Sequence, residues 1–274
     1  MRSNRQSSRC DDCGTEVPVG AGVLLGPAGG WFTYCALHTP TAPVPTHPGA
    51  WEAPGLASLD LETTGVDPQQ DRIVSIGLLD ETGREYTMIV NPGVPIPAGA
   101  AAVHGMSDAD VADKPAAIDG VRWVVAWLEV AIARQVPVVV YNAPYDLTMV
   151  SAEAARHGLP QPDWDKLWVI DPMVLDWGLE HGRFGPRKLT DMCAFYGVVL
   201  DDAHDALADA RSARLVAFEM ATRHGEFALA NFHDLMDHQR KWFAERTDDW
   251  NAWATKKGRP AEDPHAWPLI RTAG

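Results

Sequence analysis

The chain has 274 residues, 46% hydrophobic and 22% charged, with a formal net charge of -14 at pH 7. That composition is ordinary for a soluble globular protein and leaves room for one sizeable domain plus attachments. No window supplies the roughly 18 apolar residues of a membrane span. The acidic balance argues against general coating of a polyanion, so any contact with nucleic acid must be local or assisted by metal ions. The polar start, "MRSNRQSSRC", gives no secretory signal, and the expected location is cytoplasmic.

Residues 1–38 read as a small module. Cys10-x-x-Cys13 and Cys35-x-x-His38 are two tight pairs separated by two β-like runs, "GVLLG" and "WFTYC". That is the spacing of a structural zinc site, and so short a module needs a metal to hold it. One structural zinc on Cys10, Cys13, Cys35 and His38 is therefore expected. Residues 39–55 contain Pro40, Pro43, Pro45, Pro48 and Pro54 and read as a linker.

From residue 56 the pattern changes. "GLASLDLE" alternates, with Leu59 and Leu61 on one face and Ser58, Asp60 and Glu62 on the other. "RIVSIGLLD" and "REYTMIV" follow as strands, joined by the turn "DETG". Residues 117–134 repeat apolar positions at helical spacing. "VPVVVY" (136–141) and "KLWVI" (166–170) are short apolar strands of the kind buried in parallel sheets. "APYDLTMVSAEAARHG", "KLTDMCAFYG" and "DALADARSARLVAFEMATRHG" read as helices. The order implies an α/β domain: three antiparallel strands, then parallel ones, in a mixed sheet flanked by helices. Residues 223–274 form a helical tail rich in tryptophan, where Trp250 and Trp253 share a face. "QRKWF" (239–243) lies inside this helical pattern and reads as packing.

Asp60 and Glu62 emerge on one face of a strand and repel each other unless a cation lies between them. Asp146 follows the end of a buried strand, where ligand sites of open α/β sheets form. His204 and Asp209 sit five residues apart at a helix start. Four carboxylates can hold two Mg²⁺ or Mn²⁺ ions, and a neutral histidine can take a proton from water near pH 7. "HGRFGPRK" (181–188) gathers Arg183, Arg187 and Lys188 in a loop that either reaches a phosphate backbone or is simply solvated.

These segments resemble the DEDDh, or DnaQ-like, 3′–5′ exonucleases, closest to the polymerase III epsilon proofreading branch, over residues 56–222. "LDLETTG", "NAPYD" and "HDALADA" are similar to the three family motifs. The resemblance implies a ribonuclease-H-like fold, with Asp60, Glu62, Asp146 and Asp209 as metal ligands and His204 as general base. It also makes Thr63, His104 (in "AVHGMSDADV") and Asn142 candidates for substrate binding. Tyr145 stands where Phe is common, and Asp205 where a neutral or basic residue is common. The expected substrate is single-stranded or 3′-frayed nucleic acid, with DNA favoured over RNA trimming. A polymerase or repair protein is the expected partner, with no membrane. The competing reading is an adaptor whose zinc module and tail recruit such a partner while nuclease activity is subordinate.

Overall fold

The computed structural model describes residues 55–200, 204–224 and 231–270 in full, and five short strands within the first 54 residues. Those strands are β1 (Arg2–Ser3), β2 (Ser8–Arg9), β3 (Glu16–Val17), β4 (Gly22–Leu25) and β5 (Phe32–Cys35). β4 and β5, which fall in the two β-like runs, lie antiparallel with Gly22 opposite Cys35. Cys10, Cys13, His38 and nearly all of the proline-rich segment lie outside the described residues, as does the side chain of Cys35.

The main sheet is built from β6 (Ala57–Thr63), β7 (Ile73–Leu79), β8 (Glu85–Ile89), β9 (Val138–Val140) and β10 (Val169–Ile170). Its order is β10-β9-β6-β7-β8. β6, β7 and β8 pair antiparallel, while β9 and β10 run parallel to β6. The mixed sheet is therefore as the sequence implies. β9 and β10 are shorter than the apolar runs that contain them, because flanking residues such as Leu167 are buried without joining the ladder.

β6 is central, and both of its faces are covered. Leu59 and Leu61 join a core with α3 (Ala117–Arg134) and α4 (Ala143–Arg156). The opposite side of the sheet packs on α6 (Leu189–Tyr196) and α7 (Ala206–Arg223), following α5 (Pro172–Leu179) in the chain. Ser58 is accordingly buried, although the alternation put it on the polar face. Fully burying a Leu such as Leu59 or Leu147 stabilises the fold by roughly 1.5–3 kcal/mol. Two short helices, α1 (Ala98–His104) and α2 (Asp108–Val111), were not evident in the sequence pattern.

Gly77 positions α7. It pairs with Asp60 across the sheet, and a Cβ there would lie 2.3 Å from the Ala206 carbonyl carbon. Only glycine lets the start of α7 approach β7 this closely.

The C-terminal helix, α8 (Phe232–Lys256), packs on the domain through Leu235, Met236, Phe243 and Thr247. Gln239 is fully buried. It accepts from the Asp171 N–H at 2.8 Å and donates to the Val169 carbonyl at 2.9 Å, completing the edge of β10. "QRKWF" is thus packing, as read. The chain then returns: Trp267 and Leu269 enter the main core, and the Ile270 N–H donates to Thr148 Oγ1 at 2.8 Å. Trp250 and Trp253 share a face, with ring centroids 4.8 Å apart. Among the described residues no helix is long and apolar enough to cross a membrane.

Candidate active site

β6 carries Asp60 and Glu62 toward the N-terminal end of α7. Asp205 caps that helix, accepting from the Ala208 N–H at 3.0 Å. His204, just before the cap, adopts a left-handed backbone (φ 72°) and donates its N–H to Asp209 Oδ2 at 3.3 Å. The other Asp209 oxygen, Oδ1, is buried with no hydrogen-bond partner among the described residues. One oxygen each of Asp60, Glu62 and Asp209 lies within 4.8 Å of the others.

Asp146 arrives from the first turn of α4 and is buried beside them. That turn begins at Asn142, which is left-handed (φ 59°). The buried Asp171 carboxylate holds it there, accepting from the Asn142 and Ala143 N–H groups at 3.0 and 2.9 Å. Asp60, Glu62, Asn142, Asp146, His204 and Asp209 together line a cleft of about 400 Å³. Its other walls include Tyr141, Tyr145, Lys188 and Arg246.

Residues 58–216, more than half of the chain, match the RNase T family model, described as exonuclease. The chain belongs to the RNase T exonuclease family. Similar relatives include the uncharacterized exonuclease CP81 of Escherichia phage 186, 32% identical over 163 residues, which are 56% of this chain and 81% of that one. The DNA polymerase III epsilon subunit of Rickettsia felis is 33% identical over 101 residues, covering 35% of this chain and 42% of the subunit. Among solved structures, Escherichia coli exonuclease I in complex with a dT13 oligonucleotide shares the fold. Its TM-score is 0.52 at 18% identity, over 62% of this chain and 42% of that one. The chain thus spans less than half the length of the polymerase subunit and of exonuclease I.

Within this exonuclease domain the acidic groups are held at an electrostatic cost. Burial pushes Glu62 up to about 8, helped by the charges of Asp209 and Asp205. Burial also raises Asp60 well above the usual carboxylate range, and Asp146, Asp209 and Glu62 add to it. Asp146 and Asp209 are raised chiefly by burial as well. Carboxylates so arranged are fully ionised only when a cation joins them. The donor set is all oxygen, with a spare buried Asp209 oxygen, and fits a hard divalent ion. Asp60, Glu62 and Asp209 could hold one such ion directly, with Asp146 adjacent.

Tyr145 lines the cleft, whereas Thr63, next to Glu62 on β6, is buried and, like His104, is not among the cleft-lining residues. The Thr63 and Tyr145 hydroxyls both lie within hydrogen-bond reach of the Gly65 carbonyl and of each other, so their two protons are shared over these three oxygens. The Tyr in place of the common Phe is therefore a structural tie. Its phenol is pushed up to about 12 by burial, so it stays protonated. His104 ends α1 next to the Thr63 backbone, and its Nδ1 accepts from the Met106 N–H at 3.2 Å. Burial lowers its pKa, keeping the ring neutral near pH 7. The loop after β6 is clamped to α4: Arg72 pairs with the fully buried Glu153 at 2.6 Å, and Arg156 donates to the Gln69 carbonyl at 2.9 Å.

The loop 181–188 departs from expectation. Arg183 and Arg187 turn inward onto the buried Asp176, at 2.7 and 2.6 Å, where Tyr196 also donates at 3.0 Å. Neither guanidinium is free to track a phosphate backbone, and of the three cations Lys188 alone stays exposed at the cleft. Sequence reasoning missed Asp171, Gly77 and Arg246. Asp171 had a signal, since Asp-Pro after an apolar strand marks a helix cap. Arg246 had none, being one cation among many on an amphipathic helix.

Proposed function

We propose that the chain is a metal-dependent 3′–5′ exonuclease that releases 5′-mononucleotides from single-stranded or frayed ends, with DNA favoured. The observation carrying this reading is the convergence of Asp60, Glu62 and Asp209 within 4.8 Å, with the buried Asp146 beside them. When bound, two Mg²⁺ or Mn²⁺ ions would neutralise the phosphodiester and acidify a bound water. The four carboxylates would hold those ions. His204 would act as general base, and its place on the cleft next to an exposed, left-handed turn supports that role. Asn142, Thr63 and His104 would orient the terminal nucleotide.

The relatives named polymerase III epsilon support a polymerase as partner. The Cys-x-x-Cys and Cys-x-x-His spacing supports a structural zinc on Cys10, Cys13, Cys35 and His38, making residues 1–38 a separate module.

The test is digestion of 5′-labelled single-stranded DNA and RNA with Mg²⁺, Mn²⁺ or EDTA. A ladder shortening from the 3′ end and abolished by EDTA is expected, faster on DNA. No cleavage under any metal would overturn the reading.

A further inference from the structure

The cleft holds three cations as well as its acids. Arg187 is committed, with Nε on Asp176 at 2.6 Å and a terminal nitrogen on the Arg183 carbonyl at 3.2 Å. Lys188 is exposed. Arg246 is half-buried on α8 and makes no hydrogen bond or ion pair among the described residues; its guanidinium lies 5.8 Å from the ring of Phe243, one turn back. Its charge favours the ionised form of the buried Asp171, but that carboxylate already accepts from the Asn142, Ala143 and Met173 N–H groups and from Trp267 Nε1. Arg246 therefore lines the cleft with guanidinium N–H donors that no described residue accepts from.

We propose that Arg246 is a substrate-binding residue that grips a backbone phosphate of the nucleic acid strand, with Lys188 as a second contact. The proposal rests on the exonuclease reading of the same cleft. The acids and their metals would take the scissile phosphate, so Arg246 meets a neighbouring one. A planar guanidinium binds phosphate oxygens bidentately and makes a strong contact in a partly desolvated wall. This also answers how a chain of net charge -14 holds a polyanion: the attraction is confined to the cleft. α8 lies beyond residues 58–216, so the contact is supplied by a segment outside the family match.

The test is binding of a fluorescein-labelled oligothymidylate by the full chain, with Ca²⁺ in place of Mg²⁺, across a salt series. Arg246→Gln is expected to weaken binding about tenfold and to reduce the slope of log affinity against log salt by about one. Arg246→Lys should recover part of both. Arg240→Gln removes a cation that pairs with Asp237 on the same helix, and should leave affinity and slope unchanged. Loss of affinity with an unchanged slope and a lowered melting temperature would show that Arg246 only steadies Asp171, and would overturn the proposal. Unchanged binding in Arg246→Gln, or no binding by the wild-type chain, would overturn it too. A wild-type chain that binds the strand with the expected Arg246 dependence but never shortens it would leave this contact standing and remove the exonuclease reading alone.

Discussion

Gly77 and Ala206 touch without room for a methyl group: a Cβ on Gly77 would lie 2.3 Å from the Ala206 carbonyl carbon. Because Gly77 also pairs with Asp60, this one contact fixes the distance between β6 and the helix that carries Asp209. Gly77→Ala must push α7 outward. Overpacking of this kind costs about 1–3 kcal/mol. The expected result is a folded protein with a lower melting temperature and a loss of nuclease activity on the order of a hundredfold, since a 1 Å misplacement of a reacting group has that effect. Normal activity in a destabilised variant would mean that the site tolerates a shifted α7.

Most of the acidic site was legible in the sequence, because Asp60 and Glu62 need only strand periodicity and Asp146 only the end of a buried strand. Asp209 needed the helix start at 205–206, which its capping residue announces. What was not legible depends on contacts between distant segments. Nothing local distinguishes Gly77 from any glycine in a strand. Arg183 and Arg187 read as exposed cations able to reach a phosphate because their partner, Asp176, is hidden inside an apolar helix. The return of Trp267 and Ile270 to the core follows a proline-rich stretch with no periodicity.

Asp176 gives a stability test. It is fully buried and is the shared partner of Arg183, Arg187 and Tyr196. Asp176→Ala strands two half-buried guanidinium groups, a loss of about 3–5 kcal/mol by analogy with other broken buried pairs. Urea denaturation should show it as a large drop in midpoint. The loop 181–188 should loosen, detectable as faster proteolysis near Phe184, which is already exposed. A midpoint close to wild type would mean that the three partners find other acceptors.

The raised carboxylates set a pH dependence. Glu62 sits near 8 in the folded chain against an ordinary 4.5, and Asp60, Asp146 and Asp209 are shifted the same way. The folded state therefore binds more protons than the unfolded one between these values, and stability falls as pH rises through that window. In EDTA, the melting temperature should decline from about pH 5 to about pH 8. Mg²⁺ should reverse the decline, stabilising more at pH 8 than at pH 5, because it binds the ionised acids. At a hundred times its dissociation constant the gain is about 2.7 kcal/mol. A melting temperature indifferent to both pH and Mg²⁺ would show that the four acids are not electrostatically coupled.

Asp209 and His204 are joined by a backbone hydrogen bond yet should fail differently when replaced. Asp209→Asn removes a repelling charge, so the metal-free protein should melt higher, while Mg²⁺ stabilisation and activity both largely disappear. His204→Asn keeps a residue that tolerates the left-handed backbone at φ 72°. It should keep the Mg²⁺-dependent rise in melting temperature and lose about 10²–10⁴ in rate, the usual contribution of a general base. Its remaining activity should climb with pH as hydroxide replaces the missing base. If His204→Asn instead abolished the Mg²⁺ response, the histidine would be acting on the metal site, and the proton would have to leave by another route.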